Sequence, residues 1–360
     1  MEFQRTGHKL KGNHSNALPR YIIAWDTETL PHRIDKAGRR YSHSFRLGVA
    51  ISARIVGTKP VGRTVRRITR LADFWRLLDK FTAINYTTWL VCHSALFDMV
   101  VSGMSEKVES AELVLEWPRS RRPKPTDKPE DKLSDALCVI ESPPTIIGLK
   151  WSKTGGRVVV VDTLNYFQQP LSELGKACGK PKLPMPAFDE SDEKWFTYCE
   201  RDTEIVFDTF TNLLAWVREN DMGMFRYTAP SQAMAAYRHR FANINIYIHD
   251  NDDVKKLERQ ASFGGRSEVF RLGEIKEQVH HYDCNAMFPY VMLANNFPCC
   301  LNRFEMRSER IELLPDIDWA RSVAEVELKT WDNLYPVRTD HGVLYPVGSF
   351  VTTLCGEELE

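Results

Sequence analysis

Five apolar residues, Tyr21-Ile22-Ile23-Ala24-Trp25, run directly into Asp26-Thr27-Glu28. An unbroken run rich in aromatic and β-branched residues predicts a buried strand. Side chains alternate across a strand, so Asp26 and Glu28, two apart, share one face. Two carboxylates on one face of a buried strand are costly unless a cation sits with them. Oxygen-only donors of this kind suit Mg2+ or Mn2+. Taken alone, the Asp-x-Glu pair fits equally a strand end that meets solvent.

Further strands are predicted at residues 47–56, 89–92 and 157–161. Helical spacing marks residues 71–81, a stretch from about Leu96, residues 170–178 and, most strongly, residues 190–218. Strands that alternate with helices predict an α/β core. Residues 117–132 are rich in Pro, Arg and Lys with nothing to bury, which predicts a mobile insertion. Residues 1–20 are polar and basic without an apolar segment, so they predict a flexible arm and not a secretory signal.

A length of 360 residues leaves room for two domains, here residues 21–220 and 221–360. Lys plus Arg and Asp plus Glu both number 48. That balance excludes a uniformly basic nucleic-acid binder. It does not exclude a nuclease, because acids at a metal site offset basic residues along a substrate groove. No apolar run is long enough to cross a bilayer. The eight cysteines include no C-x-x-C pair. They predict buried, reduced thiols in a cytoplasmic protein and not a secreted one.

Three more groups join the first pair. Asp98 ends the segment His93-Ser94-Ala95-Leu96-Phe97-Asp98, just after the strand at 89–92. Tyr198 and Asp202 lie four apart in the strongest helix, so their side chains point the same way. Two-metal phosphodiester hydrolysis needs several converging carboxylates to hold ions roughly 3.5–4 Å apart. Asp26, Glu28, Asp98 and Asp202 supply them, and a tyrosine one turn away can orient a metal-bound water.

Asp26-Thr27-Glu28, Phe97-Asp98 and Tyr198-x-x-x-Asp202 resemble the Exo I, Exo II and Exo III motifs of family B DNA polymerases. The resemblance implies a ribonuclease H-like fold and 3′–5′ exonuclease chemistry with two Mg2+ or Mn2+ ions. It makes Asp26, Glu28, Asp98, Tyr198 and Asp202 the catalytic set. Ser94 stands where the family carries an asparagine that holds the single-stranded primer end. Ser94, Phe97, Thr163 and Leu164 would then touch single-stranded DNA; for Thr163 an ordinary strand-end threonine is the other reading. Lys176 is read either as the catalytic lysine of the protein-primed branch or as a solvent-facing side chain.

The second half resembles the start of a polymerase. Phe263-Gly264-Gly265-Arg266 resembles the Y-x-G-G motif, with Ser262 where the tyrosine is expected. Its two glycines permit close approach of a DNA strand. Tyr282-Asp283-Cys284-Asn285-Ala286-Met287-Phe288-Pro289 resembles palm motif A, D-x-x-S-L-Y-P. Asp283 would then hold a metal on an incoming nucleotide, with the Phe288 ring under its sugar. A strand over 277–283 and a helix over 286–295 are predicted to frame it. The compact arrangement looks most like the protein-primed branch.

The fingers motif K-x-x-x-N-S-x-Y-G and the palm motif Y-x-D-T-D do not occur among these residues. The expectation is therefore an α/β exonuclease domain followed by an incomplete α+β palm. Such a chain is a portion of a DNA-directed DNA polymerase that acts on single-stranded and primer-template DNA. A terminal protein primer or a separate C-terminal polymerase chain are the partners this implies. A stand-alone nuclease and a non-catalytic DNA-binding or assembly subunit are the alternatives.

Overall fold

The computed structural model describes residues 8–34, 41–82, 87–115, 145–243, 246–310, 314–340 and 342–359. The predicted insertion at 117–132 lies outside them. The chain divides into two compact units, residues 12–242 and residues 1–11 with 243–360. In chain order, the elements up to residue 242 are β1 (His8–Leu10), β2 (Tyr21–Arg33), β3 (Tyr41–Val56), β4 (Lys59–Ile68), α1 (Leu71–Thr82), β5 (Thr88–Cys92), α2 (Ala95–Val101), α3 (Met104–Glu109), β6 (Leu113–Leu115), β7 (Ile146–Trp151), β8 (Arg157–Asp162), α4 (Leu171–Ala177), α5 (Asp192–Glu219) and α6 (Ala229–Ala236).

Unit 12–242 is a mixed α/β structure built on a seven-stranded sheet of order β4-β3-β2-β5-β8-β7-β6. Its centre is parallel: β2 pairs with β5, and β5 with β8, in the same direction. The outer pairings, β2 with β3, β3 with β4, β8 with β7 and β7 with β6, are antiparallel.

Both faces of the central strands are covered, which is why these strands read as continuous apolar runs. Ile22, Ala24, Trp89, Val91, Val159 and Val161 point to one face, where Trp195, Cys199, Val206, Phe210 and Leu214 of α5 cover them. Ile23, Trp25, Leu90, Cys92, Val158 and Val160 point to the other, against Phe74 and Leu78 of α1 and Met99 of α2. Each fully buried large side chain contributes roughly 1.5–3 kcal/mol. Trp25 stacks on Phe74 with ring centroids 4.2 Å apart and donates from Nε1 to Ser102 Oγ at 3.0 Å. Gly48 makes room for this ring: a Cβ there would lie 2.3 Å from the Trp25 indole.

Residues 12–20, expected as part of an arm, pack instead. Leu18 lies against the α5-side core and Pro19 is buried. Phe225 N–H donates to the Ala17 carbonyl at 2.9 Å. Apolar Leu18 and Phe225 draw both segments onto the sheet unit, which spans residues 12–242.

The second unit holds β9 (Ile246–Ile248), α7 (Asp252–Ala261), α8 (Met287–Ala294), β10 (Val323–Thr330), β11 (Val337–Thr339), β12 (Gly342–Leu344) and β13 (Gly348–Cys355). Three antiparallel pairs form: β1 with β9, β10 with β13, and β11 with β12. Asn251 caps α7, accepting from Asp253 N–H at 2.9 Å and Val254 N–H at 3.2 Å. β10 alternates half-buried and exposed residues from Ala324 onward. The strand predicted over 277–283 does not form: no described strand pairs with it, and the segment, including His280 and His281, is exposed. No described helix is long and apolar enough to cross a membrane.

Candidate metal centre

The three parallel strands all end at one edge of the sheet, the edge where open α/β sheets place ligands. β2 delivers Asp26 and Glu28. β5 leads through Ser94 into α2, which carries Phe97 and Asp98. β8 ends in Asp162 and a short 3-10 turn, Thr163–Asn165. Helix α5 crosses one face and brings Tyr198, Cys199 and Asp202, all buried. The register of β2 on β3 shifts between Glu28 and Thr29. A bulge of this kind bends the strand and re-aims side chains beside it.

Asp26 and Glu28 face α5, as their spacing predicts. One donor atom each from Asp26, Glu28 and Cys199 lies within 4.8 Å of the others. Asp98 and Asp202 lie close enough to interact with Asp26 by charge. Asp98 is buried, and its Oδ1 accepts from the Thr27 hydroxyl at 2.7 Å and the Thr27 N–H at 3.1 Å. Asp202 Oδ2 accepts from Lys182 Nζ. Its Oδ1 is buried and has no hydrogen-bond partner among the described residues.

Crowding and burial leave these acids short of counter-charge. Burial, then the Asp202 charge, pushes the Asp26 carboxyl up to about 7, against the pull of Lys182 and Cys199. Burial, then Asp26 and Asp202, pushes Glu28 up to about 8, against Lys182 and Arg46. Burial and the Asp26 charge raise Asp98 well above the ordinary carboxyl range. Burial raises Asp202 as well, with Lys182 opposing. Burial, and for Asp26, Glu28 and Asp98 the neighbouring acids, disfavour the ionised carboxylates, and a divalent cation would relieve that cost.

Lys182 is the residue that sequence reasoning missed. Burial works against its charge, but its interactions with Asp202 and Tyr198 hold the ammonium above its usual range. Its Nζ lies 4.7 Å from the centre of the Tyr198 ring. Lys176, weighed earlier as the catalytic lysine, is exposed and pairs with Glu173 at 2.8 Å. Lys182 sits in Lys180-Pro181-Lys182-Leu183-Pro184, a stretch with no strand or helix period to announce it. Cys199 gave no sequence signal beyond its place next to Tyr198.

Phe97 and Leu164 are 43% and 38% exposed. Ser94 is exposed and left-handed, with φ 71°. Thr163, expected to touch DNA, is fully buried, and its hydroxyl bonds the His93 ring at 2.8 Å. Asp162 ties these pieces together. Its carboxylate accepts from Ser94 N–H at 3.1 Å, Ala95 N–H at 2.8 Å and Leu164 N–H at 2.9 Å.

Gly264 and Gly265 lie in irregular chain, and a Cβ at either meets nothing within 4 Å. Asp283 and Phe288 are exposed, Phe288 in the first turn of α8. The cysteines split: Cys92 and Cys199 are buried, whereas Cys284, Cys299 and Cys355 are exposed, contrary to the uniform burial expected; all are free thiols. Cys138 lies outside the described residues.

Residues 189–354 match the family described as DNA polymerase type B, organellar and viral. This stretch is thus similar to a type B DNA polymerase region. It contains Tyr198, Cys199 and Asp202 of the centre and all of the motif around Asp283. Among solved structures, the chain is similar to phi29 DNA polymerase complexed with primer-template DNA and incoming nucleotides, at 14% identity and TM-score 0.47. It is similar also to phi29 DNA polymerase complexed with single-stranded DNA, at 14% identity and TM-score 0.45. Each match covers 69% of this chain and 40% of the phi29 chain. The chain thus matches less than half the length of that polymerase. No curated protein matches.

Proposed function

We propose that this chain is a type B polymerase region and carries, in residues 12–242, a ribonuclease H-like 3′–5′ exonuclease that trims single-stranded DNA ends. The observation that carries the reading is the convergence of Asp26, Glu28, Asp98 and Asp202 from one strand and two helices, with their carboxyls pushed up by burial and by one another.

The donor set fits Mg2+ or Mn2+, which Asp26, Glu28, Asp98 and Asp202 would hold. When bound, such ions supply an activated water and charge for the leaving oxygen. The protein's own groups do the rest. Tyr198 orients the attacking water from one helical turn before Asp202. Lys182 brings a fixed positive charge to the scissile phosphate. The exposed Phe97 and Leu164 stack on or pack against unpaired bases at the 3′ end, and Ser94 offers a hydroxyl beside them.

In the second unit, the motif around Asp283 and Phe288 is read as the start of a palm, and Gly264-Gly265 as a place of close DNA approach. Primer extension is assigned no site within these residues, since a second palm carboxylate has no counterpart in them. Primer-template DNA, a terminal protein primer and a complementary polymerase chain remain the partners this reading implies.

The test is Mg2+- or Mn2+-dependent shortening of a 5′-labelled single-stranded oligonucleotide. Unchanged shortening by an Asp26→Ala, Glu28→Ala double variant would sink the proposal.

A further inference from the structure

Cys199 is fully buried and lies three residues before Asp202 on α5. Its thiol points at the acids: Sγ donates to Asp26 Oδ2 and to the Asp26 carbonyl, both at 3.4 Å. Sγ and one oxygen each from Asp26 and Glu28 form the tight trio, within 4.8 Å of one another. A separate group is short of a partner here: Asp202 Oδ1 is buried without a hydrogen bond among the described residues, and the Asp202 charge acts on both Asp26 and Glu28.

Such a donor set discriminates between metals. Mg2+ takes six oxygens in near-ideal octahedral geometry and has little use for sulfur. Zn2+ and Cd2+ favour thiolate. Zinc bonds sulfur at about 2.3 Å and carboxylate oxygen at about 2.0–2.2 Å, so two donors at a tetrahedral angle stand about 3.5 Å apart. The Sγ to Asp26 Oδ2 distance of 3.4 Å already has that value. Glu28 completes a three-residue face, and Asp202, whose Oδ1 is buried without a hydrogen bond among the described residues, acts on its two carboxyls by charge.

We propose that Cys199 makes this centre a mixed carboxylate–thiol site, which Zn2+ or Cd2+ occupies in place of Mg2+ or Mn2+, stopping 3′-end trimming. The proposal rests on the nuclease reading above and names a regulation of that same site. Coordination displaces the thiol proton to solvent as the ion binds, and no electron moves. A four-coordinate ion held by Asp26, Glu28 and Cys199 draws Asp26 onto one tetrahedral centre. The paired-ion arrangement that hydrolysis needs is then lost.

The experiment uses the full chain, reduced and freed of metal. Cd2+ is titrated while the ultraviolet sulfur-to-cadmium charge-transfer band is followed, and Mn2+ is titrated separately by calorimetry. The expected result is a Cd2+ band that loses one equivalent in Asp26→Asn/Glu28→Gln, although all eight thiols, the exposed Cys284, Cys299 and Cys355 among them, remain. In Cys199→Ser the same equivalent is lost, and half-inhibition of Mn2+-supported trimming takes at least about tenfold more Cd2+. If Cys199→Ser does not fold, the carboxylate variant decides alone. A band of equal stoichiometry in Asp26→Asn/Glu28→Gln overturns the proposal, because the sulfur would then belong to another cysteine. Mn2+ binding without any Cd2+ band overturns it while leaving the nuclease reading intact. Absence of Mn2+ binding overturns both.

Discussion

The Thr27 hydroxyl donates to Asp98 Oδ1 at 2.7 Å, and the Thr27 N–H donates to the same oxygen at 3.1 Å. Thr27 lies between the two acids of β2, and its side chain takes the opposite face. It therefore fixes Asp98, a residue of α2, to the strand that carries Asp26 and Glu28. Thr27→Val keeps the shape and removes one donor. We expect metal affinity or trimming to fall about 10–100-fold, as for other groups that orient a ligand. Stability should fall by about 1–3 kcal/mol, because the bond is buried. Metal titration and thermal melting check both; a variant equal to the parent in both would remove Thr27 from the site.

Lys182 and Lys176 separate cleanly. Lys182 bonds Asp202 inside the centre, whereas Lys176 sits on the exposed face of α4 with Glu173. Lys182→Met should slow trimming by about 100-fold or more, the usual effect of removing a fixed charge from developing charge. It should also tighten Mg2+ or Mn2+ binding, since the ammonium competes with the ions for Asp202. Lys176→Ala should change stability by less than about 0.5 kcal/mol and leave the rate as it was. Single-turnover kinetics with calorimetry decide the matter. Slow trimming in Lys176→Ala and normal trimming in Lys182→Met would reverse the assignment.

What was legible in the sequence was what local pattern encodes. The run Tyr21–Trp25 alternates its side chains between two apolar layers, so both the strand and the common face of Asp26 and Glu28 could be read. The 3.6-residue period of 190–218 gave α5, and with it the pairing of Tyr198 and Asp202. β4 left no such trace: nine of its ten residues are exposed, and four are Lys or Arg. It is a strand because β3 offers it hydrogen bonds. Lys182 was illegible because nothing periodic marks its position. Cys199 falls on the buried face of α5, but only the fold brings it to Asp26. Around Asp283 the motif was clear, but the expected strand found no neighbour to pair with.

Asp162 joins two loops that no sequence spacing connects. It accepts backbone N–H bonds from Ser94, Ala95 and Leu164, and so holds the N-terminus of α2 against the turn after β8. Asp162→Asn turns one acceptor into a donor facing a buried N–H. We expect a loss of roughly 1–3 kcal/mol in stability. We also expect about a tenfold rise in KM for single-stranded substrate with kcat largely kept, because the change displaces Phe97 and Leu164 and not the acids. A fall in kcat at constant KM would show that Asp162 acts on the metal centre instead.

The raised carboxyls make stability depend on pH in a direction opposite to an ordinary salt-bridged acid. Asp26 rises from 3.8 to about 7 and Glu28 from 4.5 to about 8. In the unfolded chain both ionise near their ordinary values; in the folded chain they keep their protons until higher pH. Their contribution to stability is therefore fully present below about 4 and is lost as pH rises through about 7 and 8. Metal-free protein should melt at a lower temperature at about pH 8 than at about pH 6. A divalent ion needs the ionised forms, so it binds more tightly at the higher pH and raises the melting temperature more there. Asp26→Asn/Glu28→Gln should flatten the pH slope and remove the metal effect. Melting curves at the two pH values, with and without Mn2+, test each part. A metal-free protein that gains stability from pH 6 to 8, with the same slope in the double variant, would mean that these two acids are not the buried, crowded pair described.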